Sequence, residues 1–435
     1  MSASPAAPPA AGDRMSVAAR RYAMVVLAVV YMFNFIDRQI LSILLPAIKN
    51  EFQVGDAVLG FLTGTAFALF YVTLGVPIGQ LADRWNRRNL LALSVALWSG
   101  MTAISGLAAN IWQLTIARIG VGIGEAGCSP AAHSMIADYY PPEKRSTAMG
   151  FYTLGISAGI MLAYLAGGWV VQNIGWRQAL FIVGIPGILL ALVVRFTLRE
   201  PVRGESEARS HSGDQPGLVV VLRFLLDRPA FLNMAFAAGL SSFVGYSVVN
   251  WMPSFVVRSF GMSPAEIGVW LGLIIGFAGG AGFFGGGYLT DRLSLGGRRR
   301  GFRFLAISSL VSAALNVGVF LASSAYWSFA LMIVPTMLSN FYLAPVLAQT
   351  QSLVSLPMRS VASALVLLVI NIVGLALGPL LTGTLSDLLA ARFEGESMRY
   401  ALLIVSSVLL PWSAWHYFRA SQTNDADLER ATEND

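Results

Sequence analysis

Apolar runs recur along the whole chain, each about the 20 residues a tilted membrane-crossing helix needs or somewhat longer. Twelve can be placed, near 22–45, 57–81, 89–108, 111–138, 147–171, 177–198, 229–256, 266–290, 302–322, 327–352, 360–389 and 399–418. Polar and basic residues collect in the gaps. The longest polar gap, 199–217, is rich in Gly, Ser, Pro and charge and reads as a flexible linker between two halves of six runs.

Basic residues orient the pattern. If the N-terminus is cytoplasmic, 22 of the 29 Lys and Arg residues fall on the cytoplasmic side, five (Lys49, Arg177, Arg258, Arg392, Arg399) fall opposite, and Arg38 and Arg118 lie within runs. That asymmetry satisfies the positive-inside rule with both termini inside. The expected fold is therefore an all-α membrane protein with twelve transmembrane helices in two six-helix halves. Its parts are a disordered tail 1–20, an N-terminal bundle 21–198, a cytoplasmic linker 199–228, a C-terminal bundle 229–419 and a tail 420–435. Arg20 and Arg21 precede a run too long for a signal-peptide core, so a retained anchor is expected.

Composition excludes the main alternatives. A chain of 435 residues that is 56% hydrophobic, 12% charged and has a mean hydropathy of +0.65 cannot be wrapped into soluble domains without exposing large apolar patches. One cysteine, Cys128, allows no intrachain disulfide, and three scattered histidines make no zinc-like cluster, so no metal or cofactor is expected. The net charge of +6 sits in short loops and forms no nucleic-acid groove. Gly122-x-Gly124-x-x-Gly127 fits the dinucleotide pattern and Gly155-x-Ser157-x-Gly159 the esterase elbow, but neither follows a strand. Both lie in apolar runs where such spacing serves close helix packing. Neither Lys49 nor Lys144 stands in a Walker A context, so ATP is not the energy source through that motif.

The halves echo each other. Gly79-Gln80-Leu81-Ala82-Asp83-Arg84, followed by Arg87 and Arg88, comes after the second run; Gly287-Tyr288-Leu289-Thr290-Asp291-Arg292 comes after the eighth. This repeat points to internal duplication. Its glycine would let helices approach, its aspartate would accept from the next helix's first amides, and its arginines would form a charged cytoplasmic latch. Asp138 is expected to join Arg84, Arg87 or Arg88 there, in a latch that breaks when the protein opens inward.

On these residues, with Asn86 where glycine is usual, the chain resembles the major facilitator superfamily. Arg118-x3-Gly122-x-Gly124, the glycines Gly155, Gly159, Gly167 and Gly168, and Gly175-Trp176-Arg177-x3-Phe181 strengthen the resemblance. Phe35-Ile36-Asp37-Arg38, Asp83-Arg84-Trp85-Asn86-Arg87, the segment from Arg118 to Ala126, and Pro130 are similar to its spinster-like branch; the C-terminal half adds chiefly Trp251-x-Pro253. The resemblance implies a monomeric, multi-pass transporter of the inner (cytoplasmic) membrane working by alternating access around a central cavity.

Ionised groups inside a bilayer cost roughly 2.5–3.5 kcal/mol each on insertion scales, so they normally face a wet cavity or one another. Asp37 lies about 12 Å and Arg118 roughly 10 Å from the outer ends of their runs at 1.5 Å per residue, a shared depth. If these helices face the cavity, as the resemblance implies, Asp37 is expected to pair with Arg118, less with Arg38, and Glu125 to lie two turns beyond Arg118 near mid-membrane. Asp37 and Glu125 are the expected proton carriers, with Arg118 exchanging between carboxylate and an anionic substrate group and Arg38 as a further charge partner. A static packing cluster is the alternative. His133 is either a proton relay or a packing histidine.

Asn34, His133, Asn250, Asn340 and Asn371 are the candidate polar cavity residues. A charged N-terminal wall facing a neutral, greasy C-terminal wall suits an amphiphile with an anionic head. The spinster-like resemblance implies a lysophospholipid or sphingolipid-like lipid, energised by the proton gradient; a small amphipathic metabolite or drug is the second reading. A non-transporting scaffold or receptor is the alternative of another class. Pro335, Pro345, Gly374 and Gly378-Pro379 either permit bending during gating or serve helix packing.

Overall fold

Helix ends lie where the sequence supplies caps. Ser16 accepts from the Ala19 amide at 3.2 Å to open Val17–Phe52, Asn86 from Asn89 at 2.9 Å to open Arg87–Ser105, and Asn110 from Gln113 at 3.0 Å to open Ile111–Glu125. Ser263 and Glu266 form a reciprocal capping pair at the start of Pro264–Leu273. Gly261, at φ 63°, closes Pro229–Phe260 in the left-handed conformation.

The computed structural model describes residues 15–203, 217–295 and 297–432, and the described regular structure is helical throughout. The first half runs Val17–Phe52, 56–84, Arg87–Ser105, 111–139, Pro142–Asn173 and Trp176–Thr197. After the short Leu218–Leu226 come Pro229–Phe260, Pro264–Ser294, Arg298–Leu321, Ala325–Ser352, 359–393 and Ser397–Thr432. Nine stretches among the described residues are long and apolar enough to cross a membrane.

Several rods are not uniform. Rod 111–139 breaks after Glu125 and resumes at Cys128, and Ala325–Ser352 breaks between Leu338 and Leu343, just beyond Pro335. Three rods pass through π-helical stretches that the sequence pattern did not reveal: Phe61–Thr65, Ile274–Gly279 and Ile370–Ala376. The last contains Gly374, where an added Cβ would strike Ser242 of the neighbouring rod, so this glycine serves close packing. Its Ala376 carbonyl takes a hydrogen bond from Thr65 Oγ1 of the other half at 2.8 Å.

Glycine sets the close approaches. A Cβ on Gly155 would come within 2.8 Å of the Ala28 carbonyl, one on Gly124 within 2.6 Å of the Trp98 amide, and one on Gly184 within 2.6 Å of the Ala103 amide. The two enzyme-like glycine patterns are thus helix-packing surfaces. At Gly79 and Gly287 the expectation fails: an added Cβ would meet only Pro130 Cβ at 4.0 Å or Ala344 Cβ at 3.6 Å, which is ordinary contact.

The core reveals how the halves meet. One cluster joins Ile40, Leu44, Leu59 and Leu62 of the first half to Trp251, Phe255, Ile267 and Leu271 of the second. At the opposite end the cores are largely separate, one around Leu91, Val95, Trp98 and Met135, another around Phe231, Met234, Ala362 and Val366. The halves are therefore joined at one end and splayed at the other. At the joined end Gly168 and Gly268 face each other, a Cβ on Gly268 lying 3.1 Å from Gly168 Cα.

Parts of the expected tails and linker are helical. Residues 1–14, 204–216 and 433–435 lie outside the described residues, but Val17 to Arg20 are helical, Leu218–Leu226 forms a helix inside the expected linker, and the last helix continues to Thr432. Polar composition hid this continuation because its partner is remote in sequence: the Asp427 carboxylate accepts from the Ala230 amide at 2.7 Å, capping Pro229–Phe260.

Candidate functional site

Between the halves lies a cavity of about 260 Å³. The first half contributes Phe35, Arg38, Gln39, Ser42, Phe67 and Arg118 to its wall. From the second come Ser241, Ser242, Tyr246, Asn250, Asn316, Ser339, Asn340, Tyr342 and Asn371 among apolar neighbours. Arg38 and Arg118 are the charged members of this lining among the described residues, so the expected division into a charged and a neutral wall holds. The neutral wall is less greasy than expected. It is studded with hydroxyls and carboxamides, since single serines inside apolar runs reveal nothing of the direction they face.

The charged set is paired differently from the sequence expectation. Arg38 Nε donates to Glu125 Oε2 at 2.6 Å, and the Arg38 guanidinium sits over Tyr71, Phe67 and Phe35 at 4.4, 5.0 and 5.3 Å from the ring centres. Asp37 makes no ion pair with Arg118. Its carboxylate accepts a short hydrogen bond from Thr102 Oγ1, and Arg118 Nη1 instead approaches the Asp37 backbone carbonyl at 3.5 Å. The cause is azimuth. Neighbouring residues on a helix diverge by about 100°, so only one of Asp37 and Arg38 can face the cavity, and here it is Arg38.

Both carboxylates are buried behind the arginines, Asp37 1% and Glu125 0% exposed. Each keeps one oxygen without a hydrogen-bond partner, Oδ2 of Asp37 and Oε1 of Glu125, and Arg118 Nε is likewise unpartnered. Arg118 is thus a buried cation at the cavity wall without a carboxylate in salt-bridge contact among the described residues, and each acid has an oxygen that could take a proton without breaking a bond.

The polar candidates divide. Asn250, Asn340 and Asn371 line the cavity; Asn340 and Asn371 donate to the Thr336 and Leu367 carbonyls of their own rods at 3.1 and 2.8 Å. Asn250 accepts from Ser42 across the halves at 3.3 Å. Asn34 is buried close to Glu125, outside the cavity lining. His133 is exposed and sets its ring edge-on to Tyr152, which stacks on Tyr31; it too is outside the lining.

The repeated signature of the first half is a clamp within that half. Arg87, 1% exposed, pairs with Asp138 and with Glu200 at 2.9 Å. Glu200 also accepts from the Arg87 and Arg88 amides at 3.3 and 2.8 Å; the Asp83 side chain, expected to accept there, lies outside the described residues. Arg203 donates to the Ala82 and Trp85 carbonyls at 2.9 and 2.6 Å, so residues 200–203 brace the end of one helix and the start of the next. Arg84, Asp291 and Arg292 are exposed, Arg292 meeting Tyr288 at 3.1 Å. Because the Arg87 pairs stay inside one half, they persist while that end is splayed, contrary to the expected breakable latch.

The lock between halves is at the joined end and was missed. Asp56 takes Lys49 at 2.6 Å, both terminal nitrogens of Arg258 at 2.6 Å, and Ser386 at 2.7 Å. Asp387 accepts from the Asp56 and Ala57 amides at 2.8 Å, so one half caps a helix of the other. A signal existed. Four of the five basic residues on the side that the positive-inside rule empties, Lys49, Arg177, Arg258 and Arg399, are in ion pairs there.

Two helical halves that close on one side of a cavity walled by arginines with buried acids behind them define a membrane transporter that exposes its site to one side at a time. The chain belongs to the Major Facilitator Superfamily, whose sequence profile matches residues 27–379. It is similar to the MFS-type efflux pump of Mycolicibacterium smegmatis, 31% identical over 405 residues covering 93% of each chain. It is also similar to Protein spinster homolog 1 of Xenopus tropicalis, 27% identical over 412 residues covering 88% of this chain and 77% of that one. A crystal structure of a bacterial homolog of the human lysosomal transporter Spinster, in an inward-facing and unoccupied conformation, superposes with a TM-score of 0.85 at 30% identity, covering 95% of this chain and 99% of that one.

Proposed function

We propose that this protein is a proton-coupled secondary transporter that moves an amphiphilic anion, a lysophospholipid or sphingolipid-like lipid, across the inner membrane. In this reading twelve helices span the bilayer with both termini cytoplasmic, the chain acts as a monomer, and the proton gradient supplies the energy. The observation that carries it is the charged set Asp37, Arg38, Arg118 and Glu125, with the arginines on the cavity wall and the buried acids behind them. Intramembrane ionisable groups in such a place serve ion or substrate movement.

Glu125 and Asp37 are the proton carriers. Protonating Glu125 weakens its hold on Arg38, and the cation can then turn to an anionic head; Arg118 is available to that head without breaking an ion pair. The neutral wall, with Ser242, Asn250 and Asn340 beside Val248, Phe283 and Met332, accommodates hydroxyls near the head and an acyl chain beyond. The similarity to an efflux pump favours a second reading, export of a small amphipathic metabolite or drug.

The test is uptake of a labelled lysophospholipid into liposomes with and without an imposed pH gradient, for the wild type and Asp37→Asn. Gradient-driven uptake lost in the folded variant supports the proposal. Lipid movement indifferent to the gradient removes proton coupling, and flux of a cationic drug but no lipid moves the assignment to the second reading.

A further inference from the structure

We propose that Leu218–Leu226 is a surface anchor, lying in the lipid headgroup layer on the side where the cavity opens and binding anionic lipid there. Nine residues of helix span about 13 Å, too short to cross a bilayer, so this element must lie along a surface. Val221 and Leu225, one turn apart, are fully buried in a cluster that includes Ala230, Phe231, Ala362 and Val366. The rest of the helix is apolar and open: Leu218, Val219, Val220, Leu222 and Leu226 are 37–67% exposed. Five large apolar side chains out of nine residues would be costly against water.

Its height follows from the helix after it. Pro229–Phe260 begins three residues beyond Leu226, and its far end carries Arg258 into the closed Asp56 lock, so its start stands at the open end. On that rod Leu232 and Phe236 are exposed, 42% and 38%, and they carry the apolar surface of the short helix onward to the membrane-facing flank. The occupant is therefore lipid continuous with the bilayer. Arg223 is exposed within the apolar face, and Arg359 is exposed at the start of Arg359–Val369, the helix against which the anchor packs. Long basic side chains reach from apolar depth to phosphate, which selects anionic headgroups. Arg359–Val369 leads directly into Ile370 and Asn371 of the cavity wall, so the anchor also braces that wall against the membrane.

The test uses the full chain in nanodiscs, where Cys128 is the single native cysteine and is buried. Val219→Cys and Leu222→Cys are spin-labelled, with Lys144→Cys in the exposed first turn of Pro142–Asn173 as the aqueous control. Labels at 219 and 222 should be relaxed more by oxygen than by a water-soluble nickel complex, and the label at 144 the reverse. Replacing phosphatidylcholine with phosphatidylglycerol should lower nickel access at 219 by about twofold, and Arg223→Gln should remove that difference. Nickel access at 219 and 222 equal to that at 144 overturns the anchor. Shielding from both reagents overturns it in favour of a protein cover, and no response to phosphatidylglycerol overturns the preference for anionic lipid.

Discussion

Arg38 holds Glu125 at 2.6 Å, 87 residues away in the chain, while its neighbour Asp37 turns aside to Thr102. One helix thereby delivers a cation to the cavity and an acid to the space behind it, and Arg118 is left without an ion pair among the described residues. The acids are reached through the arginines rather than directly.

Glu125→Gln should fold but with a lower melting temperature. Removing one partner of a wholly buried pair costs about 3–5 kcal/mol; Arg38 keeps 15% of its side chain open to the cavity, so about 2 kcal/mol is expected. Thermal unfolding in detergent measures it, and an unchanged melting temperature would show that the pair contributes little.

Arg258→Ala should loosen the closed end, because Asp56 loses its bidentate partner from the other half. Population should move toward outward-facing forms. A thiol introduced at Thr63, which lines the cavity, should react faster with an impermeant reagent added from outside. Labelling at the wild-type rate would place the lock elsewhere.

Gly168→Leu should block closure more completely than any charge change. A side chain there strikes the backbone of the opposing half near Pro264 and Gly268, which cannot rotate away. Transport should fall by at least about tenfold with folding retained, since the contact exists only while that end is shut. A variant that still cycles normally would mean the rods can separate without cost.

Glu200→Ala should destabilise the first half while sparing substrate recognition. It strips Arg87 of one carboxylate and leaves two helix-start amides uncapped, a loss of about 2–3 kcal/mol. The melting temperature should drop and the half-saturating substrate concentration stay put. A changed half-saturation with normal stability would instead make the clamp part of the transport cycle.

Much of the site was legible because charge inside an apolar run is expensive and therefore conspicuous. Asp37, Arg38, Arg118 and Glu125 stood out on that ground alone, and Asn250, Asn340 and Asn371 reached the cavity as expected. Glu200 was hidden at the edge of a polar stretch that read as linker. Asp56 and Asp387 lay at run ends, where acids are ordinary, and only their meeting across 331 residues gives them a role.

The sequence by itself determined that this is a helical membrane protein, where its apolar segments lie, and which charges lie within them, because the cost of polar groups in lipid is paid residue by residue along the chain. Only the tertiary structure decided who pairs with whom, which end is shut, and where the π-helical stretches and close glycine contacts fall. Those depend on the rotation of each helix about its axis and on the tilt of one half against the other. Such azimuths and tilts are set by packing between residues far apart in sequence, and hydropathy carries no record of them.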